Sequence, residues 1–283
     1  MGKKIIRKVY NINVRRKGLG TGDIRLAFFS DLHNCENGRN NENLFALLDE
    51  MHPDLVITGG DIPVAKPGMS LAPALSFMER LAVSYTVLCA NGNHEYRMKL
   101  YPEVYGDMAE RYFGTLRRLP VTLLENQDVK LQVNGIWLRI CGYEMDREYY
   151  KRFSRQRLPV SEISQHFGEP SKDEYTILLA HHPGYRETYL EWGADLTLSG
   201  HYHGGVMRLG AHRGIITPDF RIFNDKCYGR YDREGQTALV TSGAGEHTIP
   251  LRLFNPRELV EINLKFTREE RAKYGNPCKT AGI

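Results

Sequence analysis

The stretch LTLSGHYHGGV, residues 196–206, shows the pattern that decides the fold. A short apolar run ends at Ser199-Gly200 and is followed at once by His201 and His203. Short apolar runs that stop at glycine are typical of buried strands, and histidine is a common metal ligand. The stretch therefore predicts a strand with two candidate ligands at its end. If they bind a metal, further ligands must come from other parts of the chain, because one ion needs about four to six.

Four other strand-sized apolar runs end in the same way, with polar residues directly after them. The residues that follow these runs are Asp31 and His33, Asp61, Asn93 and His94, and His181 and His182. In open α/β sheets, ligands bind at the carboxyl ends of the strands. Five loops that bring Asp, His and Asn to one such edge predict a single site there. Each residue alone has an ordinary alternative, since an Asp after a strand usually caps the next helix.

Helices alternate with these strands in the first half of the chain. Apolar residues recur at helical spacing over residues 44–51, and a second helix is expected around residues 74–81. Later, residues 129–133 and 136–141 flank the turn Asn134-Gly135, which is the pattern of an antiparallel hairpin. This order predicts an α/β protein with βαβ units and either one mixed sheet or two packed sheets.

The charged and aromatic segment 147–167 is predicted to be helical, with a break near Pro159. Its Tyr- and Arg-rich first part, residues 147–157, has two interpretations. It lines the pocket or forms a lid that sets specificity, or it is an ordinary amphipathic helix. Both fit the sequence equally well.

Length and composition are those of an ordinary globular chain. It has 283 residues, of which 41% are hydrophobic and 25% charged, and no apolar run approaches the ~18 residues of a membrane span. We expect one domain over residues 1–271, because no Pro/Gly/Ser-rich linker interrupts it, and a loose tail at 272–283. Five scattered cysteines without a C-x-x-C pair, and the lack of a signal peptide, indicate a reduced, cytoplasmic protein.

Positive charge is concentrated near the N-terminus. The net charge of +4 is too small to indicate a specific nucleic-acid partner, but seven Lys and Arg residues precede the first acid, Asp23. They form either a patch for peripheral contact with an anionic membrane or a solvated edge strand whose charges prevent aggregation. We favour the edge strand, because Val9, Ile12 and Val14 run through the charged stretch as an apolar thread.

The candidate site residues match the chemistry of two metal ions. Asp, His and Asn without thiolates favour Mn, Fe or Zn. The candidates are too many for one ion and about right for two, with a carboxylate to bridge them. Two-metal sites hold their ions ~3.5–4 Å apart and stabilise both the attacking and the leaving oxygen in phosphoryl transfer.

The five loops resemble the signature motifs of the calcineurin-like metallophosphoesterases, in the family's order. The motifs are SDLH at 30–33, GGDI at 59–62, GNHE at 92–95, AHHP at 180–183 and GHYHGG at 200–205. Downstream, GAGEHTIPLRLFNPREL at 243–259 resembles the closing segment of the bacterial YkuE-like branch. The resemblance implies a four-layer α/β/β/α sandwich of two mixed sheets.

The resemblance also implies a role for each site residue. One ion would be held by Asp31, His33 and His203, the other by Asn93, His181 and His201, and Asp61 would bridge them. His94 would not ligate but would stabilise the phosphoryl oxygens or protonate the leaving oxygen. Asn93 would also touch the phosphate, and a metal-bound hydroxide would attack phosphorus in line.

The chain departs from the family pattern in three places. Many members carry a second Asp three residues after the bridging one, where this chain has Val64. Tyr202 stands where the last motif usually has Thr, and the membrane anchor common in YkuE-like proteins is missing. The first departure implies that a supporting partner is lost or replaced, and the last argues against a membrane-held lipid substrate.

We therefore expect a dinuclear metal-dependent phosphoesterase that hydrolyses a small phosphate mono- or diester, with Mn favoured over Fe or Zn. The alternatives are a pyrophosphatase acting on a nucleotide-linked sugar or lipid, and a non-catalytic scaffold with the same fold. A scaffold would be free to lose Asp61, His94 or His203, and all three are present.

Four residues near the motifs have open roles. His182 is expected to pack or hydrogen-bond beside the site rather than to ligate, because adjacent strand residues point to opposite faces. Arg252 binds phosphate or forms an ordinary ion pair, and a contact of His247 with substrate is not favoured. Tyr202 has no assigned role, beyond facing away from the metals if the histidines around it lie on a strand-like extension.

Overall fold

The computed structural model describes residues 4–151, 156–209, 213–215, 226–246 and 252–268. His247 and the expected tail at 272–283 lie outside these residues. Across the described ranges, no helix is long and apolar enough to cross a lipid bilayer.

Fourteen strands occur in this part of the chain, and most of them are short. They are β1 (Ile5–Arg15), β2 (Gly22–Phe29), β3 (Leu55–Thr58), β4 (Val87–Ala90), β5 (Val121–Leu124), β6 (Gln127–Val133), β7 (Ile136–Tyr143), β8 (Tyr175–Ala180), β9 (Leu196–Ser199), β10 (Met207–Leu209), β11 (Arg213–Ile215), β12 (Gly229–Arg233), β13 (Gln236–Val240) and β14 (Arg257–Thr267).

Seven α-helices connect or flank these strands within the described residues. They are α1 (Glu42–Met51), α2 (Ala72–Ser84), α3 (Asn93–Leu100), α4 (Pro102–Tyr105), α5 (Met108–Leu116), α6 (Val160–Phe167) and α7 (Arg186–Trp192). The two helices predicted from apolar spacing are confirmed as α1 and α2. The face of α1 that predicted it, with Leu44, Leu48 and Met51, is fully buried.

Two six-stranded sheets carry the fold, and both are mixed. The first has the order β1-β14-β2-β3-β4-β5, in which β2 to β5 are parallel and β14 is antiparallel to β2. The second has the order β12-β13-β9-β8-β7-β6, with a parallel centre and an antiparallel strand at each edge. The predicted hairpin is confirmed as β6–β7, turning at Asn134 and Gly135 with φ of 50° and 83°.

The sheets face each other and are covered by helices on their outer faces. One apolar cluster lies between the sheets, a second packs the first sheet against α1, α2 and α5, and a third packs the second sheet against α6 and α7. Phe28 joins the cluster between the sheets, and its neighbour Phe29 joins the cluster under the helices, because successive strand residues point to opposite faces. Burial of each such side chain contributes about 1.5–3 kcal/mol. The four-layer α/β/β/α sandwich is therefore confirmed.

The basic N-terminal segment forms an edge strand, as we favoured. Among the described strands, β1 pairs with β14 alone and occupies one end of the first sheet. Ile5 and Ile12 are buried, and Arg7 forms an ion pair with the buried Glu261. Charged side chains on an exposed edge discourage pairing with other chains.

The helical prediction for the segment 147–167 is only partly right. Residues Arg147–Tyr150 form one 3₁₀ turn, and Lys151 is already extended, with φ −64° and ψ 130°. The described residues 156–159 are not helical, and α6 begins directly after Pro159. Proline disfavours helix in the residue before it, so a helix running through Leu158 into α6 is disfavoured, in keeping with the expected break near Pro159.

Candidate metal centre

The predicted polar loops meet at one edge of the sandwich. The loops after β2, β3 and β4 of the first sheet lie beside those after β8 and β9 of the second. Backbone hydrogen bonds join neighbouring loops within each sheet, from Asp31 N to Gly60 O at 2.9 Å in the first and from Gly200 N to His181 O at 3.0 Å in the second. A loop after β13 joins the same edge, where Ala244 N donates to Ser30 O at 2.9 Å.

The first group of possible ligands contains Asp31, His33 and His203. Their ligand atoms lie within 4.8 Å of one another. His203 Nε2 is 3.3 Å from Asp31 Oδ1, and the Nε2 atoms of the two histidines are 3.1 Å apart. These are the three residues that the family resemblance assigns to one ion.

The second group contains Asp61, His181 and His201, also with ligand atoms within 4.8 Å of one another. His181 Nε2 lies 3.2 Å from Asp61 Oδ2. The same Asp61 oxygen is 3.9 Å from His33 Nε2 in the first group. Asp61 therefore lies between the two groups, the position expected of a bridging carboxylate.

Five of the seven predicted ligands have left-handed backbone conformations. The φ angles are 54° at Asp31, 49° at His33, 55° at Asp61, 65° at His201 and 50° at His203. Such angles are uncommon for residues other than glycine and concentrate at functional sites, where the surrounding structure maintains them. This clustering is a second, independent indication that these residues form a site.

The left-handed angles correct our expectation for the GHYH stretch. β9 ends at Ser199, and residues 201–204 form a turn rather than a strand-like extension. His201 and His203 still face the candidate centre, and Tyr202 is buried away from it, only 1% exposed, in a cluster with Cys227 and Tyr228. Tyr202 thus serves as an apolar anchor for the turn.

Close packing of the backbone holds the two carboxylates in place. His201 N donates to both oxygens of Asp31, at 3.0 and 3.1 Å, and His94 N donates to Asp61 Oδ1 at 2.7 Å. A Cβ on Gly200 would lie 2.0 Å from Ser30 Oγ and 2.2 Å from Asp31 Oδ2. Only glycine allows the chain to approach the carboxylate so closely.

Glu95 supports the centre and was missed by the sequence reasoning. Its buried carboxylate accepts hydrogen bonds from the backbone N–H groups of Asp61, Ile62 and Gly92, at 2.8, 2.9 and 3.0 Å. It joins the loops after β3 and β4 at the start of α3. Burial and the nearby Asp61 raise the pKa of Glu95 to about 8. A Glu three residues after a helix cap is the signal that would have found it.

The chemistry of the site fits bound cations. Among the described residues, Asn93 Oδ1 is buried without any hydrogen-bond partner, and His181 Nε2 is buried 3.2 Å from Asp61 Oδ2 without an aligned hydrogen bond. Unpaired buried polar atoms are costly, and an oxygen and an imidazole nitrogen are both metal ligands. Divalent ions would therefore satisfy atoms that the protein leaves unpaired.

The charges at the centre also favour bound cations. Burial disfavours the charged form of His181, yet the carboxylates of Asp61 and Asp31 raise its pKa to about 10. Burial also disfavours the charged form of Asp31 and Asp61, but the adjacent histidines, His203 for Asp31 and His181 for Asp61, hold both pKa values below the usual range. Two buried carboxylates require positive charge, which metal ions supply in place of protons.

His94 lies beside these groups and differs from them in its hydrogen bonds. Its Nε2 is 4.0 Å from Asp61 Oδ2, within a third group that includes His33. Its Nδ1 accepts a hydrogen bond from Ala65 N at 2.8 Å, so in the neutral ring Nε2 carries the proton. Arg97 Nη2 lies 3.3 Å from Nδ1 and 3.2 Å from Nε2. Burial lowers the pKa of His94 to about 4. A protonated Nε2 donates hydrogen bonds and does not ligate.

His182 and Arg252 act as supports rather than as ligands. His182 Nδ1 accepts a hydrogen bond from Gly184 N at 3.0 Å, as expected for a histidine that packs beside the site. Arg252 Nη2 donates to Ser242 O at 2.8 Å and to Gly245 O at 2.7 Å, and lies 3.3 Å from His203 Nδ1. Arg252 therefore ties the loop after β13 to a candidate ligand.

Comparisons with known proteins place the chain among phosphoesterases. Residues 24–205, which include all seven predicted ligands, match the family described as Calcineurin-like phosphoesterase. An uncharacterized metallophosphoesterase of Helicobacter pylori J99 is 28% identical over 77% of this chain. YkuE of Bacillus subtilis 168, also an uncharacterized metallophosphoesterase, is 24% identical over 88% of this chain and 81% of its own length. The predicted family and its YkuE-like character are confirmed.

Coverage and structural similarity complete these comparisons. The chain spans about half the length of the Helicobacter relative, 52% of that protein. The solved structure of phosphopantetheinyl hydrolase from Mycobacterium tuberculosis aligns over 79% of this chain and 89% of its own, with 14% identity and a TM-score of 0.43.

Proposed function

Because the chain belongs to the calcineurin-like phosphoesterases, a family of metal-dependent phosphoric ester hydrolases, we propose that it hydrolyses a phosphate mono- or diester at two divalent metal ions. The observation that carries the proposal is the position of Asp61. Its Oδ2 lies 3.2 Å from His181 Nε2 and 3.9 Å from His33 Nε2, so one carboxylate faces both groups of ligands. A pair of ions bridged in this way is suited to phosphoryl transfer.

Each group would hold one ion. In this proposal Asp31, His33 and His203 would hold the first ion, Asn93, His181 and His201 would hold the second, and Asp61 would bridge them. When bound, the ions would supply positive charge to the phosphoryl oxygens and would make a nearby water more acidic. The hydrogen bonds of Asp31 and Asp61 to backbone N–H groups fix the carboxylates before any ion arrives, which reduces the reorganisation that binding requires.

His94 is a hydrogen-bond donor in this scheme. Its Nε2 carries a proton, because Nδ1 is engaged by the Ala65 N–H. The ring is 19% exposed and faces Asp61, so a substrate on the ions would meet the Nε2–H. A hydrogen bond from the neutral ring would stabilise negative charge on a phosphoryl or departing oxygen. Asn93 contributes next to it, as a ligand through Oδ1 and as a contact to the phosphate.

Several finer points stay predictions. They are Mn²⁺ as the ion, a small phosphoester as the substrate, the lack of a specific nucleic-acid partner, a cytoplasmic location and a single domain over residues 1–271. The alternative substrate is the pyrophosphate of a nucleotide-linked sugar or lipid, which the same two ions would also activate. A substrate panel that contains both phosphate esters and a pyrophosphate distinguishes the two.

The proposal is tested with metal-stripped protein reloaded with Mn²⁺. We expect hydrolysis of p-nitrophenyl phosphate, bis-p-nitrophenyl phosphate or a nucleotide diphosphate sugar, and no hydrolysis by the stripped protein. The variant Asp61→Asn should lose both activity and metal, because the bridge holds both ions. Wild-type protein that binds two ions but hydrolyses none of the three substrates would instead support the scaffold alternative.

A further inference from the structure

Tyr150 brings an additional side chain to the candidate metal centre from outside the five motifs. It ends the 3₁₀ turn Arg147–Tyr150 that follows β7, whose carboxyl end lies at the same edge as that of its parallel neighbour β8. The Tyr150 ring centroid is 5.3 Å from that of His201, in an edge-on arrangement at 71°, and 6.5 Å from that of His181. Both histidines belong to the second ligand group.

The turn that carries Tyr150 is held independently of any ligand. The hydroxyl of the preceding residue, Tyr149, donates a hydrogen bond to Glu162 on α6. The Tyr185 hydroxyl donates to Tyr149 O at 3.0 Å, and the rings of Tyr149 and Tyr185 pack edge to face at 5.4 Å. Tyr150 is therefore positioned by the fold and does not need substrate to reach the centre.

The hydroxyl of Tyr150 has no hydrogen-bond partner among the described residues. The hydroxyls of Tyr149 and Tyr185 on either side, in contrast, are both engaged. A tyrosine hydroxyl is protonated at neutral pH, so the group is available as a hydrogen-bond donor.

Tyr150 and His94 lie beside different parts of the centre. The His94 ring packs against His33 of the first ligand group, with centroids 4.7 Å apart. The Tyr150 ring packs against His201 of the second group and against His182, each at 5.3 Å. The two side chains therefore flank different ligand groups, both of which Asp61 faces.

We propose that the Tyr150 hydroxyl donates a hydrogen bond to a phosphoryl oxygen of the substrate, on the side of His181 and His201. This inference rests on the proposed phosphoesterase function and adds a substrate-binding residue to it. A hydrogen bond to a charged phosphoryl oxygen strengthens binding by about 10- to 100-fold. Inorganic phosphate offers the same oxygens. Loss of the hydroxyl should therefore weaken the binding of phosphate as much as the binding of substrate.

The test compares Tyr150→Phe with the matched variant Tyr149→Phe on the same turn. Binding of inorganic phosphate to the Mn²⁺-loaded proteins is measured by calorimetry, together with metal content, thermal midpoint, kcat and KM. For Tyr150→Phe we expect two bound ions, an unchanged midpoint and about 10-fold or more weaker phosphate binding. For Tyr149→Phe we expect the reverse: the midpoint falls by about 2–4 °C and phosphate binding stays within about twofold.

The outcomes separate this inference from the function on which it rests. Wild type that binds phosphate and hydrolyses substrate, together with Tyr150→Phe that does both equally well, overturns the role of Tyr150 alone. Wild type without turnover overturns the proposed function, while the calorimetric comparison still decides whether Tyr150 contacts a bound phosphoryl group. Wild type that does not bind phosphate at all overturns both.

Discussion

The backbone N–H of Ala65 donates a hydrogen bond to Nδ1 of His94 at 2.8 Å. The ring nitrogen is the acceptor in this hydrogen bond, because a backbone N–H can only donate. The proton of a neutral His94 is therefore on Nε2, which faces Asp61.

Replacement of His94 by Ala should abolish most activity and leave both ions bound. We expect kcat to fall by about 10²- to 10³-fold, since a hydrogen-bond donor to the reacting oxygens is removed. The loss should be larger for phenyl phosphate than for p-nitrophenyl phosphate, because the departing phenolate oxygen of phenyl phosphate is more basic and accepts a hydrogen bond more strongly. The two rates and the metal content check this. Equal losses on both substrates would mean that His94 acts only on the phosphoryl oxygens.

Arg97 should influence activity through His94, because its Nη2 lies 3.2–3.3 Å from both ring nitrogens. The variant Arg97→Gln should lower kcat by about fivefold, which corresponds to the ~1 kcal/mol of a lost polar contact. Arg111→Gln on the exposed side of α5 is the matched control and should change kcat little. Steady-state rates of the two variants at one metal concentration test this. A loss as large for Arg111→Gln would assign the effect to general charge.

The division of ligands between two ions predicts a pattern of metal loss. Protein lacking both His33 and His203 should retain one ion per chain, and so should protein lacking both His181 and His201. Protein that lacks one histidine from each group should bind neither ion tightly. Metal content after gel filtration of the Mn²⁺-loaded variants measures this. If each double variant loses the same number of ions, the assignment to two groups is wrong.

Gly200 should tolerate no side chain. An added Cβ would lie 2.0 Å from Ser30 Oγ, so Gly200→Ala must displace the Asp31 loop and should destabilise the fold by about 1–3 kcal/mol. Metal binding should weaken as well, because Asp31 is a predicted ligand. Gly114→Ala is the control, because on helix α5 its Cβ meets nothing closer than Arg118 at 3.9 Å, and alanine favours helix by about 0.5–1 kcal/mol over glycine. Denaturant unfolding of the two variants should give shifts of opposite sign.

Local sequence patterns predicted the strands and the loops that form the site. The apolar run before Asp31 and the one before Asp61 are confirmed as β2 and β3, which are parallel and end at the same edge. The alternative that these residues cap helices is wrong, because α1 begins eleven positions after Asp31, at Glu42, after Asn41. A strand and the loop that ends it are indicated by residues next to one another in the chain. Such local features can therefore be predicted from the sequence alone.

Contacts between distant residues could not be predicted in the same way. The hydrogen bond between Ala65 and His94 joins a loop to the first turn of α3. The packing of Tyr150 on His201 joins segments 51 positions apart. The turn at His201 was expected to be extended, since nothing in its sequence requires left-handed φ at a histidine; the carboxylate of Asp31, which accepts from its backbone N–H, stabilises that conformation. These features depend on how the two sheets face each other.

The most direct test of the two-ion proposal is the activity of metal-free protein as Mn²⁺ is added in defined ratios. The rate of p-nitrophenyl phosphate or bis-p-nitrophenyl phosphate hydrolysis is measured at each ratio under conditions of tight binding. We predict that activity rises to its maximum at two ions per chain, because both ligand groups around Asp61 must be filled. A maximum at one ion per chain, or no activity at any ratio, would contradict the dinuclear phosphoesterase.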